Sequence, residues 1–114
     1  AQVAPGKNFE RSGALGPWLT TADEIPDPSA LTLETRVDGE VRQHTSTGDM
    51  VFSVPFLISY ISTFCELRAG DLISTGSPSG AAAGFDPPRW LKPGETVEIE
   101  ISGIGVLRNH VVAE

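Results

Sequence analysis

The sequence holds one cysteine, one methionine and one tyrosine in 114 residues, and eight lysines and arginines against fifteen aspartates and glutamates. With Cys65 alone, neither an intrachain disulfide nor a cysteine-rich zinc site can form. The net charge of −7 leaves no clustered cations to track phosphates, which excludes nucleic acid as the expected partner. It also argues against docking on an anionic membrane. No apolar run approaches the roughly 20 residues that cross a bilayer. The first residues, AQVAPGKNFE, carry neither the basic region nor the apolar stretch of a signal peptide. A cytoplasmic location is therefore expected, with no nucleic-acid and no membrane partner.

What is present is turn chemistry and bulk. Twelve glycines and nine prolines, without collagen periodicity or disorder-type polarity, indicate a turn-rich domain. A chain of this length is one domain's worth and should bury roughly two-thirds of its unfolded surface. Residues 1–17 read as loop, with Gly6, Gly13 and Gly16 beside Pro5 and Pro17. Trp18–Thr21 is a candidate short strand, and the prolines at 26 and 28 break regular structure after it.

From Leu31 the pattern alternates. Leu31, Leu33, Thr35 and Val37 share one side, while Thr32, Glu34 and Arg36 share the other, the period of a half-buried strand. Asp38-Gly39 follows as a type I′ hairpin signal, with a return strand over 40–45. Val54, Leu57, Ile58, Ile61, Phe64 and Cys65 recur at helical spacing. Ser53 can cap that helix, Pro55 is tolerated in its first turn, and Gly70 lies beyond an end near Arg68. Cys65 is expected to pack in the stripe as a small apolar side chain. Two phrases, Leu67–Ile73 and Leu91–Val97, each place a glycine turn before an extended run and predict two turn-to-strand entries. Val97, Ile99 and Ile101 alternate with Glu98, Glu100 and Ser102, and a strand over 106–112 follows the Gly103-Ile104-Gly105 turn. The fold class is mainly β (α+β), with one main helix near 54–67.

Few residues carry a chemical signal on their own. Glu98 and Glu100 share a strand face and are able to share a cation. The alternative is the wet face of an amphipathic strand. His44 and His110 belong to no metal-ligand motif and read as ordinary strand histidines. Ser74-Thr75-Gly76-Ser77-Pro78-Ser79-Gly80 sets hydroxyls between glycines after an apolar run. Such a loop can offer N–H and O–H groups to a carboxylate or oxyanion, or it can be an ordinary turn. It lacks the lysine of a phosphate-binding P-loop. Lys7, in Gly6-Lys7-Asn8-Phe9, reads by itself as a solvated loop lysine.

In order along the chain, several stretches resemble the C-terminal part of the fumarylacetoacetate hydrolase family. They are Gly6–Phe9, Leu15–Trp18, Thr21–Pro28, Asp49–Val54, Leu67–Pro78, Leu91–Glu95 and Gly103–Asn109. The resemblance covers nearly the whole chain. It implies a mixed β-roll fold and a divalent-metal enzyme (Mg²⁺ or Mn²⁺, with Ca²⁺ as a further option). Such enzymes act on 2-oxo or 1,3-dicarbonyl acids by carbon–carbon bond hydrolysis, enol-acid isomerisation or hydration, or decarboxylation. In that chemistry a metal can hold an oxo-enolate and stabilise its charge. The resemblance gives Lys7 a catalytic place beside the metal, and gives Thr75, Gly76 and Ser77 the substrate-binding loop.

The family's own metal ligands, a Glu-x-Glu pair and a later aspartate, stand upstream of the Gly-Lys loop, so no residue here is assigned as a metal ligand. Ser46 and Gly48 occupy positions where the family commonly has Asn and Ser. The 114 residues are accordingly expected to be the C-terminal portion of a catalytic domain, inactive alone. The remainder of the domain, or a second chain, is the expected partner beside a small-molecule oxo acid, and the complete protein is expected to be a homodimer. The alternative is a non-catalytic β-roll binding or assembly module that lacks the metal site.

Overall fold

The computed structural model describes residues 8–113. Strand β1 (Thr32–Val37) turns through Asp38-Gly39 into β2 (Glu40–Ser46). A 3₁₀ turn (Thr47–Asp49) leads to helix α1 (Val54–Ile61), and a second 3₁₀ turn (Ala82–Gly84) precedes β3 (Thr96–Ile101) and β4 (Gly105–His110). The four strands form one antiparallel sheet in the order β2-β1-β3-β4. This is the mainly β architecture with one helix that the sequence pattern implies.

The hairpin forms as its sequence dictates. Asp38 and Gly39 both take positive φ, 49° and 82°, as a type I′ turn requires. The Asp38 carboxylate then accepts the Thr96 N–H at 2.8 Å, tying the turn to the start of β3. The sheet has two chemically distinct faces. Leu33, Thr35 and Val37 lie opposite Ile101, Ile99 and Val97 on one face. Val37, 6% exposed, is the only buried apolar residue among those described. The other face is charged: Arg36 pairs with Glu34 at 2.6 Å and with Glu100 at 2.8 Å, and Arg108 pairs with Glu98.

One irregularity breaks the strict alternation. Thr35 pairs with Gln43 but Arg36 pairs with Val41, so Arg42 is an extra residue in β2. A β-bulge of this kind shifts the side-chain phase of everything after it. Arg42 and Gln43 both line a small cavity with Thr35 and Val37. Gln43 therefore lies on the apolar face, where an unbroken period of two from Glu40 would put it on the charged one.

Four expectations need correction. Helix α1 stops at Ile61 instead of running to residue 67. The hydroxyls of Ser62 and Thr63 donate to the carbonyls of Ile58, Ser59 and Tyr60, and such side-chain competition favours ending a helix. Cys65 is exposed, not packed in an apolar stripe. The helix instead shows solvent a row of rings, Phe52, Phe56, Tyr60 and Phe64, with successive centroids 5.0, 6.3 and 5.5 Å apart. Residues 18–21 form no strand. Trp18 lies against Gly105 at the β3–β4 turn, so this segment packs by its ring rather than by a ladder.

The two similar phrases fold into the same turn. The Arg68 N–H donates to the Asp71 carboxylate and the Lys92 N–H to the Glu95 carboxylate, each at 2.7 Å. Gly70 and Gly94 sit at φ 100° and 95°. Only the second turn enters a strand, β3. The run 72–78 forms no strand and joins no ladder among the described residues.

Candidate functional site

The end of β2 and the 3₁₀ turn after it build one wall of a pocket of about 280 Å³. Thr45 faces it beside its strand neighbour Leu33. Ser46 caps the turn: its hydroxyl accepts the Gly48 N–H at 3.1 Å, while the Asp49 carboxylate reaches back to the Ser46 N–H at 3.2 Å. This reciprocal capping box satisfies donors that a turn start leaves open. Asp49 also accepts the Thr45 hydroxyl at 3.3 Å. Thr47 rivets the turn to β1, its N–H and hydroxyl both donating to the Leu31 carbonyl and its hydroxyl accepting the Leu31 N–H. Ser46, where the family commonly has Asn, thus keeps a capping oxygen. Gly48 fits a tight place, since a Cβ there would stand 3.1 Å from the Ser29 carbonyl oxygen.

The facing wall is the loop singled out from the sequence. Thr75, Gly76, Ser77 and Pro78 all line this pocket, opposite Asp49, Met50 and Phe52. Gly76 sits at φ 118° with open space where a Cβ would point, so its backbone conformation, not crowding, favours glycine. The side-chain amide of Gln43 donates to the Pro78 carbonyl at 3.1 Å. Among the described residues, the hydroxyls of Thr75 and Ser77 have no hydrogen-bond partner and are free to receive or donate to a ligand's oxygen atoms. The pocket is lined by hydroxyls and apolar side chains, with Asp49 its single charged residue among those described.

The other candidates lie elsewhere. Lys7 is outside the described residues. Glu98 and Glu100 both reach Arg36, at 3.4 and 2.8 Å, and Glu98 also pairs with Arg108. The hydrogen bond from Arg108, with Arg36 behind it, holds the Glu98 carboxyl below its usual range. Arg36 is held still more firmly in its charged form by Glu100 and Glu34. These carboxylates serve a salt-bridge face, so the cation-sharing reading fails. His44 lies 3.4 Å from Glu34, and the ring of His110 meets the Thr96 hydroxyl at 3.0 Å. Neither histidine lines the pocket. No three His, Cys, Asp or Glu side chains converge among the described residues, so this part of the chain does not by itself fit Mg²⁺ or Mn²⁺. No helix among the described residues is long and apolar enough to cross a membrane.

Thr45, Ser46, Thr47 and Asp49 were not singled out as pocket residues from the sequence. The signal for them is Ser46-Thr47-Gly48-Asp49, the spacing of a capping box after a strand.

Known proteins share this sequence pattern and fold. Residues 1–112 match the model for the fumarylacetoacetate (FAA) hydrolase C-terminal family. Oxaloacetate tautomerase YisK of Bacillus subtilis is 44% identical over 106 residues, 93% of this chain and 35% of that protein. The solved structure of fumarylacetoacetate hydrolase from psychrophilic Exiguobacterium antarcticum superposes with a TM-score of 0.83 at 41% identity, over 87% of this chain and 35% of that one. Maleylpyruvate hydrolase from Sphingobium sp. SYK-6, solved with manganese(II) and pyruvate, superposes with a TM-score of 0.77 at 35% identity, over 85% of this chain and 34% of that one. The chain spans about a third of the length of these relatives. With the family model spanning nearly every residue and the fold shared at this identity, the chain belongs to the fumarylacetoacetate hydrolase family.

Proposed function

We propose that this chain is the C-terminal portion of a catalytic unit acting on 2-oxo or 1,3-dicarbonyl acids, with Thr75, Gly76 and Ser77 binding the oxygen atoms of the substrate. The observation that carries this reading is the convergence of that loop with the Asp49 turn on one pocket, in a chain with the family's pattern throughout. Free hydroxyls on either side of a glycine N–H suit the carboxylate and enol oxygens of such acids. The relatives' names, a tautomerase and hydrolases, support an enol-acid tautomerisation or a carbon–carbon bond hydrolysis. By its Gly6-Lys7-Asn8-Phe9 match, the reading gives Lys7 an ammonium role beside the negative charge that develops on the substrate.

A divalent cation, Mg²⁺ or Mn²⁺, enters the proposal as an ion held by ligands outside the described residues; the manganese-containing relative supports it. Those ligands would come from the rest of the same polypeptide or from a second chain in a cytoplasmic homodimer. The exposed rings of α1 support a covering partner. Acetylpyruvate and enol-oxaloacetate, each with Mg²⁺ or Mn²⁺, test the reading in the full-length protein. Ion-dependent loss of the enol absorbance with at least one of them is expected, and no turnover of either overturns it. The 114 residues alone are expected to be inactive. Saturable, stoichiometric Mn²⁺ binding by the full-length protein separates an enzyme from a metal-free binding module.

A further inference from the structure

The substrate loop has little holding it. Residues 72–78 join no strand ladder among the described residues, and Thr75, Gly76 and Ser77 are exposed. A segment without ladder bonds samples many backbone conformations, and fixing each residue costs roughly 1–2 kcal/mol of entropy. A hydroxyl that must meet a substrate oxygen within hydrogen-bond reach therefore depends on whatever restrains its backbone.

Two contacts supply that restraint, both from the bulged stretch of β2. Gln43 donates from Nε2 to the Pro78 carbonyl at 3.1 Å. Only the amide nitrogen can serve here, because a carbonyl accepts and does not donate. Two residues further on, Gly80 sits flat on the β2 backbone: a Cβ there would stand 2.0 Å from the Arg42 carbonyl oxygen. The register shift at Arg42 makes both contacts possible. It turns Gln43 toward the loop and leaves the Arg42 carbonyl uncovered for Gly80. We propose that Gln43 is a positioning residue, whose hydrogen bond to Pro78 sets the Thr75–Ser77 backbone at the distance from the Asp49 turn that substrate binding needs. This rests on the reading of that loop as the substrate-binding wall. Gln43 does not line the pocket itself and so acts through the loop.

The test uses the full-length protein as wild type, Gln43→Leu and Gln43→Glu. Leucine keeps much of the volume without a donor. Glutamate keeps the shape but, when ionised, sets an acceptor against the Pro78 carbonyl. Hydrogen exchange of peptides covering 72–80 reads the restraint without any need for turnover. Gln43→Leu is expected to speed that exchange about tenfold, the equivalent of one hydrogen bond, with little change in the rest of the sheet. In the same variant the KM for acetylpyruvate should rise about tenfold while kcat changes less. For Gln43→Glu, KM relative to wild type at the same pH should fall back as the carboxyl protonates and its O–H donates to Pro78, a recovery Gln43→Leu cannot show. Unchanged exchange over 72–80 in both variants overturns the proposal. So does faster exchange with KM and kcat unaltered. If the wild type turns over neither acid, the functional reading fails, while the exchange measurement still decides whether Gln43 holds the loop. Should Gln43→Leu fail to fold, Gln43→Glu across pH supplies both readouts.

Discussion

Replacing Gly80 by alanine gives the sharpest single test of how the substrate loop is seated. Gly80 adopts φ 96°, and its added Cβ would lie 2.0 Å from the Arg42 carbonyl oxygen and 3.1 Å from the carbonyl carbon. Carbon–oxygen contacts settle near 3.3 Å or beyond, so the loop or β2 must move by more than an ångström. Two costs add. Holding an alanine at positive φ costs roughly 1–2 kcal/mol, and forcing atoms into a filled place costs roughly 1–3 kcal/mol more. Gly94 isolates the first cost. Its φ is 95°, and a Cβ there meets nothing within 4 Å. Gly80→Ala should therefore destabilise by about 2–5 kcal/mol and Gly94→Ala by about 1–2 kcal/mol. Urea unfolding of the full-length protein, with equal slopes for the variants, reads the difference from the midpoints. Because only the Gly80 change lifts the loop off β2, it alone should also raise KM. A Gly80→Ala protein no less stable than Gly94→Ala, with wild-type KM, would refute the seating.

Other consequences follow from the same geometry. Ser77→Ala should raise KM or lower kcat by about tenfold, the scale of one hydrogen bond to substrate. Its unfolding midpoint should not move, since the hydroxyl has no partner among the described residues to lose. Asp38→Ala forfeits the bond to the Thr96 N–H and places alanine at φ 49°, for a loss of about 1–3 kcal/mol in urea unfolding. Asp38→Asn should lose much less, as asparagine tolerates this backbone and keeps the acceptor. The Glu34, Glu40 and Glu98 carboxyls are all held low, chiefly by hydrogen bonds from Arg36, Arg89 and Arg108 respectively. Groups held low in the folded state contribute stability above the ordinary glutamate range and lose it as pH falls through that range toward their depressed values. Unfolding midpoints should drop over that interval, less steeply in high salt. A midpoint flat from neutral pH down past the carboxylate range would remove the charged face from the stability of the sheet.

How far the sequence carried the fold depended on how local each signal was. The β1–β2 hairpin was legible because Asp38-Gly39 states its own turn type and the flanking alternation states its faces. Ser53 was legible as the cap of α1, and its hydroxyl does accept the Phe56 N–H. The end of α1 was not. The apolar spacing continues through Phe64 and Cys65, and only the Ser62 and Thr63 hydroxyls, weak signals in any sequence, turn the last carbonyls away from a further helical turn. The Leu67–Ile73 phrase predicts a strand because its turn equals the one before β3. A turn sets a direction, however, whereas a strand needs a neighbour's ladder, and 72–78 finds none among the described residues. The Glu98 and Glu100 carboxylates show the converse. Two carboxylates on one strand face are compatible with a cation, and the decision lies with Arg36 and Arg108 on the strands either side, which no spacing within β3 reveals.

The candidate site turns on an irregularity of a single residue. Counting by two from Glu40, which lies opposite Val37, puts Arg42 toward the apolar face and sends Gln43 and Thr45 to the charged side. The bulge reverses the last two. Gln43 then pairs with Thr35 and Thr45 with Leu33, so one reaches the Pro78 carbonyl and the other lines the pocket. Deleting the extra residue would restore regular pairing and the ladder bond that the bulge forgoes, a local gain for the sheet. It would keep Gln43 opposite Thr35 and Thr45 opposite Leu33 but remove the bulged Arg42 carbonyl against which Gly80 is seated. A bulge that costs the sheet a bond and serves the pocket is the pattern expected where an active-site wall, not strand stability, governs the local sequence. Deletion of Arg42 should therefore leave the hairpin paired by backbone exchange protection while unseating the loop at Gly80, read as faster exchange over 72–80 and a higher KM for acetylpyruvate. Unchanged exchange over 72–80 together with wild-type KM would show that the bulge is indifferent to the site.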